Sequence, residues 1–230
     1  MENPWADKSN YSSQWVLKCD QEAVEKFQAK QGLKPKYQLR TDVAPEPWCG
    51  PIKTAKVLLL ASNPHWDERD DKMPQRAHDL MWENLSGEFP LYCLHEDMKD
   101  LSGGIWYRNR ALKNLLQIIP ESRVAADVCL VDLVAYRSHE WHSALRVPSS
   151  DYMASQVNAA IDRESVIVVL RSRDEWLSKI PRLEKYPFVF MNKSWQQPRI
   201  SERNTCLNLD REEISGSFQA IVRKLVEADY

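Results

Sequence analysis

Four short apolar runs constrain this chain more than any other feature. They occupy residues 56–61 (KVLLLA), 128–134 (VCLVDLV), 166–170 (VIVVL) and 188–191 (FVFM). Each is nearly continuous and rich in β-branched, leucine or aromatic residues. A strand with one wet face would alternate apolar with polar; these do not, so they predict strands covered on both faces. Between and after them the apolar spacing turns helical. Residues 106–119 carry Leu112, Leu115, Leu116 and Ile119 and stop at Pro120. Residues 150–163 open on Ser149-Ser150-Asp151, a good N-cap, and 174–180 form a shorter segment. Residues 210–228 set Ile214, Phe218, Ile221, Val222 and Leu225 along one stripe. Alternating strands and helices predict an α/β fold: a three-layer sandwich with a four-stranded, mainly parallel central sheet flanked by helices.

Residues 1–55 read as an N-terminal arm packed on this core, the α/β domain itself spanning 56–230. A helix at 21–31 stops at Gly32, and Pro35, Pro45, Pro47 and Pro51 punctuate the stretch up to the first apolar run. The formal net charge is −2, so any polyanion must be met by a local patch. Such a patch exists: residues 163–203 hold nine Lys/Arg against five Asp/Glu. The five cysteines are odd in number and widely spaced, with no CxxC pair, which fits reduced thiols in a cytoplasmic protein. No apolar run approaches ~18 residues, so no membrane span is expected. There is no GxGxxG, no P-loop, no GxSxG and no HExxH, and no cofactor or metal is expected. His139 and His142 lie three apart and would meet a metal only on a helix; a solvated loop is the stronger reading.

In parallel sheets the ligand crevice lies beyond the carboxyl ends of the strands. Those ends read Ser62-Asn63-Pro64-His65-Trp66, Ala135-Tyr136-Arg137-Ser138, Arg171-Ser172-Arg173 and Asn192-Lys193-Ser194-Trp195. The set is amide-bearing, cationic and aromatic, suited to a planar polar ligand joined to an anion.

Ala61-Ser62-Asn63-Pro64-His65 after the first strand, paired with Asn192-Lys193-Ser194-Trp195 after the last, resembles the motif pair of the uracil-DNA glycosylase superfamily. In motif pattern it is most similar to the mismatch-specific, thymine-DNA-glycosylase-like branch, which has asparagine at both positions. The resemblance covers residues from about 50 to 228. It implies a monofunctional DNA N-glycosylase with DNA as partner, a flipped nucleotide in the pocket and no obligate protein partner. Asn63 would hold the attacking water and Asn192 would donate to a base carbonyl, as the catalytic pair. Ser62, Pro64, His65, Trp66, Asp132 and Tyr136 would form the base pocket. Arg171, Arg173, Lys193, Ser194, Trp195 and Arg199 would bind DNA, with Trp195 as a wedge and Trp66 or Tyr107 stacking on the base. His65 stands where that branch has glycine, Lys193 where the second motif has proline, and Asp132 and Tyr136 replace a uracil-reading asparagine. These departures point to a damaged or modified pyrimidine. Asp132 is either a structural anchor or a reader of an exocyclic amine. Base-excision repair is the default purpose; a modified base in phage DNA would make it defence.

Two other classes remain open. A non-catalytic nucleotide- or nucleic-acid-binding domain would keep Arg171, Arg173 and Lys193 and make Asn63 a turn residue. A small-molecule hydrolase or transferase would work through Asp132 and His65.

Overall fold

The computed structural model describes residues 1–12, 14–194 and 196–227. In chain order its regular elements are α1 (Gln21–Gln28), β1 (Trp48–Cys49), β2 (Val57–Ala61), α2 (Gln75–Asn84), α3 (Ser102–Trp106), α4 (Glu121–Asp127), β3 (Val128–Asp132), α5 (Ser150–Asp162), β4 (Val166–Val169), α6 (Arg173–Lys179), β5 (Val189–Asn192), β6 (Thr205–Leu207) and α7 (Ser217–Val226).

The sheet has six strands rather than the expected four, in the order β1-β3-β2-β4-β5-β6. It is mixed: β3, β2, β4 and β5 run parallel, while β1 and β6 pair antiparallel at the two edges. The four inner strands are the apolar runs. Every residue of β2, β3 and β4 is buried, as two covered faces require. The edge strands have only two and three residues, too few to print a periodicity. The free side of β1 is closed by Asn84 on α2, whose side chain accepts from Gly50 N (2.8 Å) and donates to the Trp48 carbonyl (2.7 Å). A covered edge is protected from pairing with another chain.

Side chains alternate between two cores. Leu58, Leu60, Cys129, Val131, Ile167 and Val169 face α1, α5 and α6. Val57, Leu59, Ala61, Leu130, Val166 and Val168 face α2, α4 and α7. The N-terminal arm contributes Trp5, Val16, Leu17, Val24, Phe27 and Trp48 to the first core, and its β1 is a strand of the same sheet.

The helix expected at 106–119 is broken. After α3 the chain makes a wide π turn at Tyr107–Ala111, with Leu112 N reaching Tyr107 O at 2.9 Å. The Ala111 carbonyl then accepts from Ile200 N (2.8 Å), and irregular turns lead to Pro120 and α4. Leu112, Leu115 and Ile119 are still buried, so the spacing reported burial correctly and helicity only in part. The last helix begins at Ser217 rather than 210, because Ile214 N bonds back to Cys206 O beside β6 and Gly216 turns the chain at φ 83°. No helix among the described residues is long and apolar enough to cross a membrane.

Candidate functional site

Strand order fixes where a crevice can form. From β2 the chain crosses to β3 on one side, whereas from β4 it proceeds to β5 on the other. The carboxyl ends of β2 and β4 therefore diverge, a switch point of the kind that binds ligands in open α/β sheets. A cavity of about 320 Å³ lies there, lined by Ala61, Ser62, Asn63, Pro64 and His65 after β2, by Leu130 and Asp132 of β3, by Arg137, and by Leu170 and Arg171 after β4. Glu46 of the arm, Ser102, Gly103, Trp106, Tyr107 and Arg110 around α3, and Gln196 and Pro198 complete the wall. The volume sits at the small end of the ~300–1,000 Å³ typical of ligand pockets. A wider hollow of about 480 Å³ near α5 and α6 has its cations already engaged, Arg146 with Glu175 across the hollow and Lys179 with Asp151 outside it.

Asn63 is held in one orientation. Its Nδ2 donates to Ser138 Oγ (2.8 Å) and to the carbonyls of Tyr136 and Pro64 (both 3.3 Å). Ser138 Oγ itself donates to the Glu140 carbonyl (2.8 Å), so toward Asn63 it can only accept. Three acceptors around one end of the amide identify that end as the NH₂. The remaining atom, Oδ1, is the one left for the cavity.

Asp132 is 1% exposed, and its Oδ1 has no hydrogen-bond partner among the described residues. Burial pushes its carboxyl well above the ordinary carboxylate range and the Glu46 charge adds to this, while Arg137 and Arg171 oppose. An unpaired carboxylate in such a place is expensive, so the site favours the neutral acid. Glu46, also raised by burial, is ion-paired with Arg137 (Oε2–Nη2 2.6 Å) and accepts from the Tyr92 hydroxyl. The second arm of Arg137 donates to the His65 carbonyl (3.2 Å). Asp70, inside the turn Glu68–Lys72 that Asp67 caps, accepts from Ser102 N (3.2 Å) and thereby seats α3 against the cavity. Gly104 lets α3 approach: a Cβ there would sit 1.8 Å from the Met98 carbonyl oxygen. At the mouth, Arg171 and Arg110 are exposed and form no ion pair among the described residues.

The structure gathers Ser62, Asn63, Pro64, His65, Tyr107, Asp132 and Arg171 from the residues expected at the site. Ser62 is buried and bonds Ser172 Oγ (2.8 Å), holding the left-handed backbone of Ser172 (φ 53°), so its hydroxyl is structural. The rest of the expected set lies elsewhere. Tyr136 faces the opposite core, where its hydroxyl donates to Asp20 (2.6 Å) and accepts from Leu17 N (3.2 Å), clamping the arm. Trp66 is buried beneath the Arg40 guanidinium, 4.0 Å from its ring centre. Asn192 turns toward β6 and accepts from Thr205 Oγ1 (2.8 Å), its Nδ2 buried without a partner among the described residues. Arg173 binds the Leu209 carbonyl and Asp174. Lys193 pairs with Glu213, and Ser194 N donates to Asn204 (2.9 Å). Arg199 is exposed outside the cavity lining, and Trp195 lies outside the described residues.

Glu46, Arg110 and Gln196 are not evident from the sequence; Arg110 is hidden inside an expected helix, Glu46 in a proline-rich arm. Trp106 lines the cavity beside Tyr107. His139 and His142 diverge. His139 reaches the Trp66 carbonyl, while His142 packs edge-on against Phe27 and Tyr37. Among the described residues no group of three His, Cys, Asp or Glu is placed to hold a metal.

Comparison with protein-family models, with curated proteins and with solved structures gives no match.

Proposed function

We propose that the chain is a DNA N-glycosylase that draws one flipped pyrimidine nucleotide into the switch-point cavity and hydrolyses its glycosidic bond. The carrying observation is Asn63: a three-point clamp on Nδ2 leaves Oδ1 to accept from a water at the cavity. A carboxamide cannot take a proton, so it orients the nucleophile without acting as a base. The remaining acceleration must then come from stabilising the departing base. The other features supporting the reading are a cavity of single-nucleotide scale, Trp106 and Tyr107 along its wall, and Arg171 and Arg110 at its mouth for the flanking phosphates. No lysine lines the cavity among the described residues, so the reaction stops at the abasic site without a Schiff-base step.

The test is incubation with single- and double-stranded oligonucleotides carrying uracil, thymine mispairs, cytosine and modified cytosines, followed by alkaline cleavage at abasic sites. Product is expected from at least one base, with Asn63→Ala slowing its release about 100-fold. DNA binding with no abasic product from any base would instead mark a binding module.

A further inference from the structure

From the placement of Asp132 in the cavity wall we infer that the base is of the cytosine type, and that Asp132 both reads its amino edge and protonates it as it leaves. This rests on the glycosylase reading above and names its substrate class.

Asp132 is an unmet bonding group. It closes β3 at the cavity, almost wholly buried, with Oδ1 unpartnered and no counterion within ion-pair distance among the described residues. Its flanking wall is apolar, Leu130 and Ala61. A buried polar atom without a partner calls for an explanation, and a ligand edge is one. A carboxylic acid offers one acceptor and one donor side by side. Cytosine offers the complement, N4–H as donor and N3 as acceptor, and N3 is basic enough to take the proton. Uracil presents N3–H and the weakly basic O4, so the acid could bond it but not usefully protonate it.

The step balances. The C1′–N1 bond breaks with its electron pair going to the base, while the Asp132 proton moves to N3, so cytosine departs neutral. The water held by Asn63 adds its oxygen to C1′ and releases a proton to solvent. The Asp132 carboxylate, drawn toward Arg137 and Arg171, is reprotonated from solvent. The titratable groups whose charge bears on Asp132 are Glu46 from the arm, Arg137 beyond β3, Arg171 beyond β4 and Tyr107 after α3, with Cys129 acting from the opposite face of β3. Burial pushes Tyr107 and Cys129 well up, so both stay neutral, and the Glu46 charge is offset by Arg137. The acid is competent while protonated, so excision falls as pH rises through its elevated range.

The experiment uses matched base pairs differing only at C4: cytosine against uracil, and 5-methylcytosine against thymine, each at one position of the same oligonucleotide. Single-turnover release is followed by mass spectrometry from pH about 5 to 9. The amino base of a pair should be released faster, with a rate that falls as pH rises while the carbonyl base shows no such fall. Asp132→Asn should reduce the ratio of amino- to carbonyl-base release at least about 100-fold, with its fold checked by thermal unfolding. Release of carbonyl bases alone, or an equal loss for both in Asp132→Asn, overturns this inference and leaves the glycosylase reading standing. Release of no base at all overturns both. The wild-type pH profiles decide the matter even if the variant does not fold.

Discussion

Replacing Arg137 by leucine tests the electrostatic frame on which the cavity stands. Arg137 and Glu46 are paired at 2.6 Å, with side chains 6% and 9% exposed. Removing the cation leaves Glu46 buried with only the Tyr92 hydroxyl donating to it, and also withdraws a donor from the His65 carbonyl. Breaking a buried pair from one side costs about 3–5 kcal/mol. For a chain of this size that is roughly 6–20 °C in Tm, at about 2–4 °C per kcal/mol. The double variant Glu46→Gln/Arg137→Leu removes the stranded charge and should recover more than half of the loss. The pH dependence is equally specific. Burial already raises the Glu46 carboxyl, and Arg137 is the charge that opposes the rise; without it the value climbs further. A carboxyl that binds its proton more tightly when folded destabilises the fold as pH rises above the unfolded value of about 4.3. The gap between wild type and Arg137→Leu should therefore be wide near pH 8 and narrow toward pH 5. Urea unfolding at both pH values measures it. A loss under about 1 kcal/mol, or a gap that does not change with pH, would refute this electrostatic account.

Tyr136→Phe should cost about 1–3 kcal/mol in urea unfolding, because Asp20 and Leu17 N both lose a buried partner; a neutral result would mean the arm is not clamped there. Gly104→Ala, which sets a methyl against the Met98 carbonyl, should destabilise by about 3 kcal/mol or more, and a wild-type Tm would contradict the close packing of α3. Removing both Arg110 and Arg171 should flatten the log–log salt dependence of DNA binding by about 1.5, as each phosphate contact contributes roughly 0.7–0.9; an unchanged slope places DNA elsewhere. Asn192→Ala should lower stability by about 1–2 kcal/mol through the lost Thr205 bond, with base release within about 3-fold of wild type. A loss as large as that of Asn63→Ala would return Asn192 to the chemistry.

The inner strands were legible because burial on both faces leaves continuous apolar runs, and their order of appearance put Asn63, Asp132 and Arg171 near one sheet edge. Distance and direction were not legible. Asp132 and Tyr136 lie four residues apart, yet one faces the cavity and the other the opposite core, because regular alternation ends where β3 does at Asp132. The cationic run 163–203 looked like a DNA surface, but Arg173 and Lys193 are taken up by Leu209, Asp174 and Glu213. Which charges are consumed locally depends on neighbours far along the chain, and spacing does not encode it. The same holds for Glu46, whose role depends on Arg137, 91 residues away.

Asp132 is where local and global preferences part company. Its position on β3 points into the apolar side of the sheet beside Leu130 and Ala61, and every other residue of β3 is apolar. A valine or leucine there would satisfy pattern and burial together. The carboxyl gains no ion pair or hydrogen bond among the described residues, so folding alone gives no reason for it. Asn63, by contrast, is over-determined, with three acceptors around one amide end. One cavity thus holds a side chain fixed beyond what the fold needs and another left unsatisfied at the fold's expense. Sequences break their own patterning mainly where a site requires it, and in the proposed reaction these two residues take complementary parts: Asn63 places the water and Asp132 meets the group that departs.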